Sequence, residues 1–177
     1  MLNLLTLPAE LPTAAEPIAI RRATLGDLPA LMGLLSDDPI SASRGDVADH
    51  ADERLYRRAL EGIIADPGNE VILATDLAGA AVGTLQLTLI PGMARRGAWR
   101  LQIEAVRVAT HHRSSGIGTA LMNWTVGVAA PALGATLVQL TSDSARADAH
   151  RFYDRLGFQP SHTGFKLSLD TARQPGP

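Results

Sequence analysis

Apolar and polar positions follow two different periods along this chain, and the switches between them mark out its elements. Ile18 to Arg22 reads as a short first strand. Thr24-Leu-Gly-Asp27 comes next, an N-cap with an acidic residue three positions on. Leu28, Leu31, Met32 and Leu35 then recur at helical spacing, with Pro29 in the first turn, where a missing N–H is tolerated. Asp37-Asp38-Pro39 stops that helix. Residues 36–53 are polar and acid-rich and read as a mobile loop, leading into a second helix through Leu55, Ala59, Ile63 and Ile64. Asp66-Pro-Gly-Asn69 is turn chemistry and ends it. Val71 to Thr75 is a nearly continuous apolar strand. The next strand alternates, with Leu85, Leu87 and Leu89 on one face and Thr84, Gln86 and Thr88 on the other. The short connection from Asp76 to Gly79 predicts an antiparallel hairpin.

The stretch LQIEAVRVATHHRSSGIGT, Leu101 to Thr119, organises the chain. Its strand puts Trp99, Leu101, Ile103 and Ala105 on one face and Arg100, Gln102 and Glu104 on the other. The alternation then fails, because Val106 and Val108 fall on the Glu104 side. A β-bulge near Ala105 repairs it, and bulges concentrate beside active sites. Arg113-Ser-Ser-Gly116-Ile-Gly118 turns into a helix with Ile117, Ala120, Leu121, Trp124 and Val128 in one stripe, ended by Ala130-Pro131. Thr136 to Thr141 is a further strand, and strand–helix–strand implies parallel neighbours. Asp143 or Ser144 caps a last helix with Ala149, Phe152, Tyr153 and Leu156 facing inward. Gly157 is a natural left-handed residue just past its end. Phe158-Gln159 and Gly164 to Leu169 read as short final strands. The expected organisation is a loose arm over residues 1–17, one domain over 18–169 and a frayed tail over 170–177.

Composition narrows the class. With 177 residues, 46% apolar and 19% charged, the chain is long enough for one globular domain with a real core. A net charge of −2 gives no electrostatic case for nucleic acid or an anionic membrane surface. The absence of cysteine excludes disulfides and thiolate catalysis. The N-terminal run is broken by Asn3, Thr6 and Pro8 and lacks a basic start, and no apolar run approaches the roughly 18 residues that span a bilayer. A soluble cytoplasmic protein is expected. His111 and His112 are adjacent and diverge, so no metal site is expected there.

A turn opening a helix presents unpaired N–H groups at the positive end of the helix dipole, which suits an anion and above all a pyrophosphate. There is no Gly-x-x-x-x-Gly-Lys-Ser/Thr, so the loop is not a P-loop. It also lies too late in the chain for a dinucleotide fingerprint, with no second half after it. On its own the loop leaves two readings open, an anion site or a plain structural turn. Three blocks in this order go further: Arg22-Ala-Thr-Leu-Gly-Asp27, Arg113-Ser-Ser-Gly116-Ile-Gly118, and Ala149-His-Arg-Phe-Tyr153-Asp-Arg-Leu-Gly-Phe158. With them the chain resembles the GNAT superfamily of acyl-CoA-dependent N-acyltransferases, over essentially Ile18 to Leu169. The second block is similar to the family's Gln/Arg-x-x-Gly-x-Gly/Ala signature, and the third to its helix ending in Leu-Gly-Phe.

The resemblance implies an α/β fold with a mixed, splayed central β-sheet flanked by helices on both faces. It implies that acetyl-CoA is held at its pyrophosphate by the backbone of Arg113, Ser114, Ser115, Gly116, Ile117, Gly118 and Thr119. The pantetheine arm would run along Val106, Arg107 and Val108, with Ser142 and Phe152 as further contacts. Many family members carry an asparagine where this chain has Ser142-Asp143-Ser144, so Ser142 is the candidate for that contact. A primary amine with a pKa of about 10 is protonated at pH 7, and a general base must release it. Glu104 matches an acidic position that similar family members carry. Tyr153 matches the tyrosine that returns a proton to the leaving thiolate, and a backbone N–H near Val106 would meet the oxyanion.

The expected reaction is direct transfer of acetyl to the primary amine of a small molecule. A homodimer is expected, with no metal, nucleic acid or membrane. The alternatives are a protein acceptor, at a lysine or N-terminal amine, or a non-catalytic acyl-CoA-binding or sensing domain. The acidic residues between 37 and 53 lie where the family builds its acceptor pocket and would favour a cationic amine, unless they form a solvated face.

Overall fold

The computed structural model describes residues 1–43, 45–167 and 169. Its contacts divide the chain into two compact units, Met1–Leu140 and Thr141–Pro177. The first carries helices α1 (Leu28–Ser36), α2 (Glu53–Ala65) and α3 (Ile117–Trp124) and a six-stranded sheet. Its strands are β1 (Ala9–Leu11), β2 (Ile18–Arg22), β3 (Asn69–Thr75), β4 (Ala81–Pro91), β5 (Trp99–Val108) and β6 (Leu137–Leu140), side by side in chain order. All neighbours are antiparallel except β5 and β6, which are parallel. The β3–β4 hairpin closes where the Asp76 carboxylate accepts the N–H groups of Ala78 and Ala80. A parallel pair instead needs a crossover, and α3 supplies it. The fold class is therefore α/β with a mixed sheet.

Helices cover both faces. Leu28, Leu31, Met32 and Leu34 of α1 and Leu60 of α2 cluster with Val71, Leu73 and Ala109. The opposite face carries the buried Ile72, Leu85, Leu87, Leu101 and Ile103. There Ile117 and Leu121 of α3 sit over Gly83, where a Cβ would stand 3.4 and 3.5 Å from them and 3.0 Å from the Arg107 carbonyl. Each leucine fully withdrawn from water contributes on the order of 2 kcal/mol.

Several helix phases differ from the pattern expectation. On α2 the inward residues are Tyr56, Leu60 and Ile63, while Leu55 and Ile64 are exposed. Leu55 and Tyr56 are adjacent apolar residues, and spacing alone does not choose between them. Beyond Trp124 the helix widens into a π-turn over Thr125–Ala129 and continues through Ala130–Ala132, so Pro131 does not end it. The extra residue per turn carries Val128 out to solvent and buries Ala129.

The N-terminal arm is not loose. Leu2, Leu5 and Leu11 are buried, and β1 pairs with β2 from Ala9↔Ile20 to Leu11↔Ile18. Arg22 explains the order: its Nη2 donates to the carbonyls of Leu2 and Leu5 at 2.9 and 3.0 Å, and its Nε meets Glu70 at 2.7 Å. Burial keeps the Glu70 carboxyl above its ordinary pKa despite that partner. Nor is the acidic segment a free loop. It contains a helical turn, Pro39–Ala42, capped by the Asp38 carboxylate on the Ser41 N–H. The Tyr56 hydroxyl donates to Asp46 at 2.6 Å, a bond that pushes the phenol up to about 12.

The second unit holds α4 (Ala147–Arg155). Asp143 does not cap it; its carboxylate accepts the Ala145 N–H and makes the turn before the helix. No strand forms among the described residues of 158–169, because an extended segment becomes a strand only against a partner ladder. Residues 170–177, expected as a frayed tail, lie outside the described residues.

Candidate active site

The β4–β5 ladder pairs Gln86 with Glu104 but Thr84 with Arg107, so Leu85 faces both Ala105 and Val106. That is the expected bulge, and Ala105 takes a left-handed φ of +50° to make it. Its effect on the faces is set by the register. Val108 opposite Gly83 returns to the apolar α3 face, and Arg107 opposite Thr84 joins Glu104 on the α1–α2 face. Glu104 is exposed, and Val106, Arg107 and Val108 are half-buried.

The parallel ladder with β6 runs only from Arg100↔Leu137 to Ile103↔Leu140. β5 continues to Val108, so its edge beyond Ile103 has no β6 residue alongside. The parallel ladder thus ends one residue before Glu104 and just short of the bulge. An edge of this kind offers backbone groups to an extended ligand arm.

Past Val108 the chain makes a tight turn, with His112 N–H donating to Ala109 and Arg113 N–H to Thr110. Ser114 and Gly116 take left-handed φ values of +65° and +93°. The α3 ladder starts with Ala120 N–H on the Gly116 carbonyl at 2.9 Å. Among the described residues, the N–H groups of Gly116, Ile117, Gly118 and Thr119 meet no acceptor, and no side chain caps the helix. The first turn carries no acidic residue. Orphan donors at a helix N-terminus fit a phosphate group, so the residues present suit the pyrophosphate of CoA.

Spacing did not reveal the ties between this segment and residues 37–46. Arg107 Nη2 donates to Ser41 Oγ at 2.6 Å and its Nη1 to the Val106 carbonyl at 2.8 Å. Thr110 N–H donates to the Asp37 carboxylate at 2.6 Å, which holds that carboxyl below its ordinary range. Arg113 Nη2 donates to the Asp37 carbonyl at 3.0 Å. Asp37 belongs to the acidic stretch already expected beside the acceptor pocket, but its bonds to this loop, and the part played by Ser41, are what the sequence pattern missed. The one signal they gave was a polar stretch after an apolar helix.

In the second unit, α4 ends in a Schellman motif. Gly157, at φ +87°, donates its N–H to Asp154, and Phe158 donates to Tyr153. Such ends carry an apolar contact between those outer positions, and the Tyr153 and Phe158 rings meet edge-on at 5.9 Å. The Leu-Gly-Phe block thus fixes the half-buried Tyr153 ring, which also packs on Phe152 at 5.2 Å. Ser142 Oγ is buried without a hydrogen-bond partner among the described residues. The first unit brings together Glu104, Val106–Val108 and Arg113–Thr119 along one continuous stretch, and the second holds Ser142, Phe152 and Tyr153. Among the described residues no cluster of three or more His, Asp or Glu is placed to hold a metal ion, and no helix is long and apolar enough to cross a membrane.

A mixed sheet with one parallel pair, and a donor-rich loop at the helix that joins that pair, define the class as an α/β fold with an anion-suited turn at its centre. The acetyltransferase (GNAT) family matches residues 29–158, and the chain belongs to that family. It is 31% identical over 118 residues to an aminoalkylphosphonate N-acetyltransferase of Salmonella typhimurium strain LT2, covering 67% of this chain and 75% of that protein. A structure described as a transcriptional regulator from Bacillus halodurans C-125 superposes with a TM-score of 0.80 at 39% identity, over 86% of this chain and 99% of that one. Glucosamine-6-phosphate N-acetyltransferase from Arabidopsis thaliana shares the fold, with a TM-score of 0.69 at 16% identity over 86% and 99% of the two chains.

Proposed function

We propose that this protein transfers an acetyl group from acetyl-CoA directly to the primary amine of a small molecule. One observation carries the reading: the edge of β5 left free beyond its β6 ladder runs straight into a loop whose N–H groups at Gly116, Ile117, Gly118 and Thr119 lack acceptors among the described residues. The small-molecule acceptor is supported by the likeness to an enzyme named for aminoalkylphosphonates. Acetyl-CoA supplies an acyl group already activated as a thioester. The loop from Arg113 to Thr119 binds the pyrophosphate, and the backbone of Val106–Val108 orients the pantetheine arm. Ser142 Oγ and Phe152 add contacts to the cofactor.

The remaining steps move protons. Glu104, exposed on the Arg107 face, takes the proton that an amine with a pKa of about 10 carries at pH 7. A backbone N–H near Val106 meets the oxyanion. Tyr153, fixed by the α4 stop, returns a proton to the leaving sulfur. No covalent enzyme intermediate is needed, and the chain has no cysteine to form one on sulfur.

The test is thiol release from acetyl-CoA against a panel of small amines, aminoalkylphosphonates included. Release is expected with at least one amine, and Tyr153→Phe should lower kcat by about 100-fold with CoA affinity within about twofold. If CoA raises the melting temperature but neither thiol nor acetylated product forms, the protein is a binding or sensing domain. An unchanged rate in Tyr153→Phe returns that ring to packing alone.

A further inference from the structure

We infer that the turn between β1 and β2, residues 12–17, is a positioning element for the CoA loop, acting through the backbone N–H of Ala14. The inference rests on reading Arg113–Thr119 as the pyrophosphate loop. Ala14 N–H donates to the Ser115 carbonyl at 3.2 Å. A Cβ added at Gly116 would stand 2.9 Å from Ala14 N and 3.3 Å from Ala14 Cβ. Gly116 is therefore bare toward the chain's own N-terminal turn.

The consequence lies in one peptide plane. Ser115 C=O and Gly116 N–H belong to the same trans unit and point in opposite directions. Holding the carbonyl toward Ala14 turns the Gly116 N–H away from the turn, as a donor with no acceptor among the described residues. The plane is bounded by ψ of Ser115 and φ of Gly116, the latter left-handed at +93°, and a glycine on one side leaves it free to rotate. Within the loop, Ser115 Oγ and N–H donate to the His112 carbonyl at 2.6 and 3.4 Å and anchor the residue before this plane, while the bond on the plane's own carbonyl comes from Ala14.

The turn is itself rigid. Thr13 Oγ1 donates to the Glu16 carbonyl at 2.7 Å and accepts the Ala15 N–H at 3.2 Å. Its two ends are clamped by the Leu11↔Ile18 pair. The buried Leu2, Leu5 and Leu11 and the Arg22 contacts hold β1 on the sheet. An ordered N-terminal arm thus preorganises a donor of the anion site, which raises affinity for the phosphate end of the cofactor without touching the reacting atoms.

Replacing residues 12–17 by Asn-Gly tests this directly. A two-residue turn suits the Leu11↔Ile18 register and keeps β1 and its buried leucines. CoA titration should show affinity about five- to tenfold weaker, the scale of one lost hydrogen bond, with kcat at saturating acetyl-CoA unchanged. Ala14→Pro, which removes the N–H and fixes φ while leaving the length of the turn unchanged, should weaken CoA binding in the same direction and carries the test if the shortened chain does not fold. Wild-type binding with both variants within twofold overturns the inference and leaves the loop reading intact. A wild-type protein that does not bind CoA overturns the loop reading and this inference with it.

Discussion

At the β2–α1 junction a carboxylate closes the short 3-10 turn, Leu25–Asp27, that leads into the helix. Thr24 N–H and Oγ1 both donate to Asp27, at 2.8 and 2.9 Å, and Arg21 grips the same carboxylate through two nitrogens at 2.8 and 2.7 Å. At the β5–α3 junction there is no acidic residue in the first turn and no side-chain cap, and glycine stands at the cap at φ +93°. Both are strand-to-helix turns on one sheet. One carries a carboxylate network of its own, whereas the other has none in its first turn and is the one proposed to take a ligand. The chain bears the open end because Ala14, Asp37 and the α3 packing hold the loop from outside its donors.

The contrast breaks most sharply at Gly116. Gly116→Glu puts a side chain where φ is +93° and Ala14 N lies 2.9 Å away, and adds negative charge at the site proposed for phosphate. Affinity for CoA should fall by about 100-fold or more, the scale of like charges brought together. Calorimetric titration checks it, and retained binding would remove the pyrophosphate from this loop. The mirror experiment is Asp27→Ala. It removes a charge-assisted network worth about 2 kcal/mol, or a melting temperature lower by about 5 °C. CoA affinity should stay within about twofold; a large loss of affinity would mean that the two junctions are not separable.

The difference between the junctions also marks what the amino-acid pattern could convey. Local chemistry was legible. The parity break at Val106 and Val108 called for the bulge, and Gly157 marked the helix end that seats Tyr153. Both are decided by residues within a few positions of one another. What escaped was decided across long separations. Nothing in Leu2, Leu5 and Leu11 has a period of 2 or 3.6, so their burial depends on Arg22 reaching two carbonyls. The approach of Ala14 to Gly116 and the bond from Arg107 to Ser41 join segments with no shared pattern. The π-turn that expels Val128 leaves no mark that spacing could read.

The smallest effect sharpens the comparison through pH. Arg21 first, then the Thr24 N–H and hydroxyl, hold the Asp27 carboxyl far below the ordinary range, outweighing the opposing effect of burial. A depressed folded pKa stabilises fully above the unfolded value of about 3.9 and is lost as pH falls toward the folded one. The melting-temperature gap between wild type and Asp27→Asn should therefore be constant from pH 7 to about 5 and narrow progressively below about 4. Asp37 and Asp66 are also held low, by Thr110 and Gly68 N–H groups respectively, and Glu70 is held high, but all three are common to both proteins and cancel in the difference. A gap that stays flat down to pH 2 would show that Asp27 closes the junction by shape rather than by charge. The β5–α3 junction has no carboxylate in its first turn, and the low-held carboxyl that steadies its loop, Asp37, reaches the Thr110 N–H from outside.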